Sequence, residues 1–247
     1  MTTEVPDEHP RSESLRTRHR IEDGVDAGLT HRQGLIAEGR GEAFDYLLGE
    51  RTTESAERAE RAAAAHLLLA DCPVLSVNGN AAALVPDEIV DLADAVEAAI
   101  EANLFNRTDE RIDAIADHLR AHGAEGVKGR RADARIPGLT SERAKVASDG
   151  IHAADVVLVP LEDGDRAEAL SAMDKTEIVV DLNPLSRSPQ VAAVPVIDNL
   201  VRAMPNIAAH ARELAGRPDD CERAIENFDR EAALEAAEET IRSGELD

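Results

Sequence analysis

From Pro73 onward, short apolar runs alternate with stretches of helical period, and that alternation leaves few folds open. The runs are VLSV (74–77), ANLF (102–105), EGVK (125–128), DVVLVP (155–160), EIVVDL (177–182) and AAVPVI (192–197). The spacing between them predicts helices over 86–99, 108–122, 165–173 and 199–215, with a C-terminal helical segment over 219–243. Thr108 is placed to cap one helix, and Asp219 with Glu222 resembles a capping box. Apolar strands separated by helices need cover on both faces and return parallel to one another. The expected fold is α/β, a Rossmann-like parallel sheet of about six strands with helices on both faces. Ahead of it, 12–28 reads as a helix, 34–50 as a glycine-punctuated loop feeding a short helix, and 52–72 as a strong helix. The 247 residues are read as one domain: an N-terminal helical arm with a Gly-Arg-Gly loop (1–50), a sheet core (51–215) and C-terminal helices (216–247).

Aromatic residues are 2% of the chain and Trp is absent, so Leu, Val, Ile and much Ala must fill the core. Fifty acidic residues face 27 basic ones, a net charge of −23, and Lys128, Lys145 and Lys175 are the only lysines. Acid spread over every helix, with Arg favoured over Lys, suits a halophilic protein, because concentrated salt screens self-repulsion. An ordinary acidic enzyme is the alternative. Either way the charge argues against duplex nucleic acid and against an anionic membrane surface. Cys72 and Cys221 read as thiols rather than a disulfide framework. With no export signal at the N-terminus and no run near the ~18 apolar residues of a span, a cytoplasmic protein is expected.

Ligands of such sheets bind beyond the carboxyl ends of the strands. Those positions hold Asn78-Gly79-Asn80, Asn106-Arg107-Thr108, Glu162-Asp163-Gly164-Asp165-Arg166, then Asp181, Asn183, Ser186 and Arg187, and finally Asp198 and Asn199 with Arg202 one turn on. Each Asn or Asp taken singly is more often a turn or cap residue than a ligand. Their recurrence at one edge, with Arg107, Arg166, Arg187 and Arg202 expected at one rim, suits a polyanionic substrate. The carboxylates suit a divalent cation or an ammonium group. There is no GxxxxGK[ST], no GxGxxG after the first strand and no GxSxG elbow. His118 and His122 lack an obvious third metal ligand, and neither cysteine has a base nearby in sequence. From the residues alone, the chain binds a nucleotide or other phosphate at the strand ends. The metal ligands stay unassigned.

Several unbroken strings go further. HPRSESLRTR (9–18), GLIAEGRGEAFDYLLGE (34–50), SVNGNAAALVP (76–86), DARIPGL (133–139), ADVVLVPLEDGDRAEAL (154–170) and DLNPLSRS (181–188) resemble the archaeal phosphopantothenate synthetase, or 4-phosphopantoate–β-alanine ligase, family. The resemblance implies activation of the 4-phosphopantoate carboxylate by ATP as an acyl-adenylate. Attack by the β-alanine amine then gives 4′-phosphopantothenate and AMP, toward coenzyme A. It also implies Mg²⁺ with the ATP and a homodimer. By resemblance, the ATP contacts are Arg18, Arg40, Asp181, Leu182, Asn183, Arg187, Ser188, Asn199 and Leu200. Asn78, Asn80, Asp163, Asp165 and Arg166 are assigned to substrate or metal by position only. The chain departs from the family pattern at Ser12, where an aromatic commonly follows HPR, and at Glu38, where a His commonly precedes Gly-Arg-Gly. The competing readings are a kinase or ligase of another small carboxylate, a non-catalytic nucleotide-binding regulator, and a helical interaction protein.

Overall fold

A computed structural model describes residues 5–6, 8–161 and 163–244. In chain order, α1 (Ser12–Asp26), α2 (Gln33–Leu48) and α3 (Glu54–Leu69) precede β1 (Pro73–Val77), α4 (Gly79–Leu84), α5 (Pro86–Ala95) and β2 (Ala99–Ala102). Next come α6 (Asp109–Ala121), β3 (Val127–Lys128), the short pair β4 (Ala134–Arg135) and β5 (Lys145–Val146), β6 (Val156–Pro160), α7 (Gly164–Ser171) and β7 (Thr176–Asp181). The chain finishes with α8 (Arg187–Val191), β8 (Val194–Ile197), α9 (Leu200–Leu214), α10 (Pro218–Glu226) and α11 (Arg230–Ser243).

Six strands form one parallel sheet in the order β3-β2-β1-β6-β7-β8. The chain builds outward from β1 to β3, then crosses back and builds outward from β6 to β8. The direction of winding therefore reverses between β1 and β6, which opens a crevice at their carboxyl ends. Side chains alternate across the sheet. Leu75, Val77, Leu158, Ile178 and Val196 join one large core with α3, α5, α6 and α9. That core is closed by alanine: Ala62, Ala63, Ala64 and Ala65 on α3 are fully buried, and the small side chains let α3 lie close to α9. Val74, Val157 and Val159 face a smaller cluster completed by Ile136, Val146, Ile151 and Leu170. The same second face carries buried polar groups. Glu101 accepts the N–H groups of Ala147 at 2.8 Å and Ile151 at 2.7 Å, and Arg166 donates to Ser76 Oγ at 3.1 Å.

The α/β fold with its six-stranded parallel sheet is as expected, and Thr108 does cap α6, accepting from Arg111 N at 3.3 Å. Several local expectations are corrected. Residues 33–48 form one continuous helix, not a loop and a short helix, because the glycines serve packing. A Cβ on Gly34 would meet Asn80 Oδ1 at 2.2 Å and Thr30 Oγ1 at 2.4 Å. The second strand is Ala99–Ala102, not ANLF: α5 stops at Ala95 and Glu97 turns the chain with φ 54°. The C-terminal segment breaks at Asn227 into α10 and α11, with Asp229 capping the latter. No capping box forms at Asp219, because Pro218 starts α10 and Arg217 precedes it as the cap.

Candidate functional site

The crevice between β1 and β6 is pinned by the residues that end those strands. Asn78 donates its Nδ2 to the Pro160 carbonyl at 2.9 Å, and its Oδ1 accepts from Ala81 N at 3.0 Å to cap α4. Across the crevice, Leu161 takes a left-handed φ of 50°, and Asp163 caps α7 by accepting from Arg166 N at 2.9 Å. Asp163 is thus a helix cap, and its other carboxylate oxygen, Oδ2, lies 3.5 Å from Arg143 Nη1. Glu162 falls outside the described residues.

The arm folds over this edge. The loop between α1 and α2 approaches so closely that a Cβ on Gly79 would meet the Leu29 carbonyl at 2.3 Å. Asn80 holds the loop, accepting from Thr30 Oγ1 and donating to the Gly34 carbonyl at 2.9 Å. Beneath it lies a cleft of about 200 Å³ lined by Thr30, His31, Gln33, Gly34, Ala37, Arg40, Asn78, Gly79, Asn80, Leu104, Phe105, Asn106, Arg111, Arg143 and Leu161. Among the described residues three arginines and a histidine line it and no carboxylate does, on a chain of net charge −23. Arg111 is held by backbone carbonyls, Leu29 at 3.0 Å and Asn106 at 2.5 Å, and its burial lowers its pKa. Arg143 is 4% exposed and donates Nε to Asn103 Oδ1 at 3.2 Å. Desolvated cations of this kind are anion receptors.

A second cleft, also about 200 Å³, lies on the other side of α2, lined by Ser14, Thr17, Arg18, Ile21, Glu22, Leu35, Glu38, Gly39, Glu42, Asp45 and Asn199. Its electrostatics are the reverse, with four carboxylates and one guanidinium. Arg18 and Glu42 pair, Nε to Oε2 at 2.7 Å, which raises the pKa of Arg18 and lowers that of Glu42. Asn199 caps α9 and donates Nδ2 to Asp45 Oδ2 at 3.0 Å. Leu200 is buried in the core, which leaves its backbone N–H at the helix start as the polar group it offers.

Between the clefts, Asp181 ends β7. Its carboxylate accepts from Leu182 N at 2.7 Å, Asn183 N at 3.3 Å and Ser186 Oγ at 3.0 Å, while burial raises its pKa and Arg40 opposes the rise. Arg187 opens α8 and reaches Asp165 at 2.7 Å, lying over Gly164. Ser188 is buried at 3% exposure. The structure thus brings Arg40, Asn78 and Asn80 to one cleft and Arg18 and Asn199 to the other. Asp181, Leu182, Asn183, Arg187 and Ser188 follow one another along the next strand end.

The four arginines expected at one rim do not gather there. Arg166 is fully buried beneath the sheet edge. Arg202 binds Asp198 and Asp45, both at 2.7 Å, and also Glu13. Arg107 donates to the Gly129 carbonyl. Only Arg187 is exposed. Of the three arginines that line the crevice, Arg111 and Arg143 escape sequence reasoning. One lies inside α6 and the other in a 3-10 turn, neither after the carboxyl end of a sheet strand. Among the described residues no group of three or more His, Cys, Asp or Glu is placed to hold a metal ion. No helix of the described residues is long and apolar enough to cross a membrane.

The sequence profile of a family described as phosphopantothenate/pantothenate synthetase matches residues 55–244. The chain is 53% identical over 236 residues to a protein of Methanosarcina mazei named 4-phosphopantoate–beta-alanine ligase, spanning 95% of this chain and 93% of that one. A protein of the same name from Thermococcus onnurineus is 54% identical over 227 residues, 91% and 87% of the two chains. Its counterpart in Thermococcus kodakarensis is 56% identical over 211 residues, 85% and 81%. The chain is a member of the phosphopantothenate/pantothenate synthetase family.

Proposed function

We propose that this protein is an AMP-forming carbon–nitrogen ligase that joins 4-phosphopantoate to β-alanine in coenzyme A biosynthesis. The observation that carries the reading is the cleft of Arg40, Arg111 and Arg143 at the strand-order reversal, lined by no carboxylate among the described residues. ATP, the substrate phosphate and the substrate carboxylate are all anionic, and they meet only where fixed cations offset their repulsion. The reaction needs no side-chain nucleophile. A carboxylate oxygen of 4-phosphopantoate attacks the ATP α-phosphorus and pyrophosphate leaves. The β-alanine nitrogen then attacks the acyl carbon, and AMP leaves with that carboxylate oxygen. Arg40 holds the phosphates from the arginine-lined cleft, and donors fixed beforehand stabilise charge spread at the α-phosphate. Arg111 and Arg143 take the phosphate of 4-phosphopantoate. Positioning of both substrates supplies the rest.

Mg²⁺ fits this site as an ion carried by the phosphates, with Asp163 or Asp165 as a single protein contact, since no all-protein cage exists among the described residues. It would neutralise phosphate charge when bound. Arg166 serves as a positioning residue under the Asp163 turn. The enzyme works as a cytoplasmic homodimer. Ile36, 76% exposed, and Leu47, 53% exposed, share a stripe of α2 with Arg40, and a second copy covering that stripe would also shield the site.

Product analysis tests the reading. With ATP, Mg²⁺, β-alanine and 4-phosphopantoate, AMP and 4′-phosphopantothenate are expected, and unphosphorylated pantoate should react poorly. ADP as product would sink it. Replacing Arg143 by Ala should raise KM for 4-phosphopantoate about 10- to 100-fold, the scale of a charge-assisted pair, with KM for ATP little changed.

A further inference from the structure

Glu38 lies in α2 with its carboxyl facing the second cleft, and it is 9% exposed. Among the described residues it has no hydrogen-bond partner, although buried carboxylates ordinarily have several. Every charged group around it is accounted for. From α1, Arg18 is already paired with Glu42, and Glu22 adds negative charge. On α2 itself, Asp45 is held by Arg202 and Asn199. Helix α4 brings no titratable side chain, and α11 meets α2 through Leu234 and Ala237 against Phe44 and Leu48. Burial first, then Asp45 and Glu42, push the Glu38 carboxyl up to about 7. Below neutrality it is chiefly a carboxylic acid, with one O–H to donate and one oxygen to accept.

The cleft that it faces would repel phosphates, because Glu22, Glu42 and Asp45 outnumber Arg18. An uncharged ring would be accepted there, where Ile21, Leu35 and Gly39 supply apolar lining. Arg40, the next residue along α2, turns to the arginine-lined cleft. A nucleotide with its base in one cleft and its phosphates in the other would thus straddle α2. Adenine presents a donor amine beside an acceptor ring nitrogen, the pair that a Gln or Asn amide reads bidentately. A neutral carboxyl offers the same complement, whereas an ionised one offers only acceptors and sets a lone pair against the ring nitrogen.

We propose that Glu38 is a specificity-determining residue that recognises the adenine of ATP as a neutral carboxylic acid. This rests on the ligase reading only in placing ATP at this site. The group makes ATP affinity depend on pH, and it makes Gln the conservative replacement rather than Asp.

The test is ATP binding by titration calorimetry from pH 5.5 to 9, with no other substrate, on wild type, Glu38→Gln and Glu38→Ala. The terminal phosphate of ATP titrates in the same range, so the wild-type to Gln ratio is the quantity to follow. The ratio of dissociation constants is expected to stay near one below pH 6.5 and to rise about tenfold per pH unit above 7. The Ala variant should bind weakly throughout, and thermal melting of each variant checks that it is folded. A pH-independent ratio, or a Gln variant as weak as Ala, would overturn the proposal. That outcome, found together with normal AMP formation by the wild type, leaves the ligase reading intact. Failure of the wild type to bind ATP at any pH would overturn both.

Discussion

Glu60 is the second carboxyl lifted toward neutrality, and its role is internal. It is fully buried on α3, accepts from Asn206 Nδ2 at 3.0 Å, and sits near Asp198, so that desolvation chiefly, with Asp198 adding, raises its pKa to about 8. The folded chain holds this proton more tightly than the unfolded chain does. The stabilising contribution is therefore complete below about 4.5 and is lost as pH rises through about 8. Glu60→Gln should melt at nearly the wild-type temperature at pH 5 and at a higher one at pH 8.5. A melting difference that does not widen with pH would contradict this. Single residues were the least legible level of the sequence. Asn78, Asp163 and Asn199 were visible as strand-end groups, and all three turn out to be helix caps. Asn80 and Arg166 have the same residue types at the same kind of position. Asn80 spends its amide holding the loop after α1, and Arg166 points into the sheet. Aim is decided by packing, which spacing does not encode.

Between elements, the attachment of the arm matters most. Arg202 on α9 joins Asp198 after β8, Asp45 on α2 and Glu13 on α1, the two aspartates with little solvent and Glu13 half-buried. Removing the guanidinium would leave Asp45 and Asp198 buried without their cation. Arg202→Met should therefore cost about 3–5 kcal/mol, the scale for breaking a buried ion pair from one side. Because Asp45 also bounds the second cleft, ATP affinity should fall along with the melting temperature. Denaturant unfolding checks the first and calorimetry the second, and a change below about 1 kcal/mol would mean the arm is held otherwise. At this scale, strands read well where apolar runs were flanked by turn residues, as at β1, β6 and β7. The second strand was misplaced because Ala99–Ala102, AIEA, carries Glu101 and does not look apolar. Its charge is tolerated because backbone N–H groups from the 147–151 segment meet the carboxylate. Helix α2 was misread because glycine is a poor helix former, and here close packing outweighs propensity.

For the whole molecule, charge is the property most open to measurement. Fifty acidic residues against 27 basic ones repel one another wherever salt is dilute. The melting temperature should rise steadily from 0.1 M to 2 M KCl, where the Debye length falls to about 3 Å or less. A flat response would favour an ordinary acidic enzyme. The fold class and the alternation of the main strands and helices were legible from the sequence pattern alone. The two opposite-sign clefts flanking α2 were not, because they depend on how the arm lies across that edge. The account turns on a carboxylate attacking the ATP α-phosphorus in those clefts, and ¹⁸O follows that step directly. With both carboxylate oxygens of 4-phosphopantoate labelled, mass analysis should find one ¹⁸O in AMP, one in the amide of 4′-phosphopantothenate, and none in pyrophosphate. Label in inorganic phosphate, with ADP as the nucleotide product, would mean an acyl-phosphate intermediate and would contradict the account.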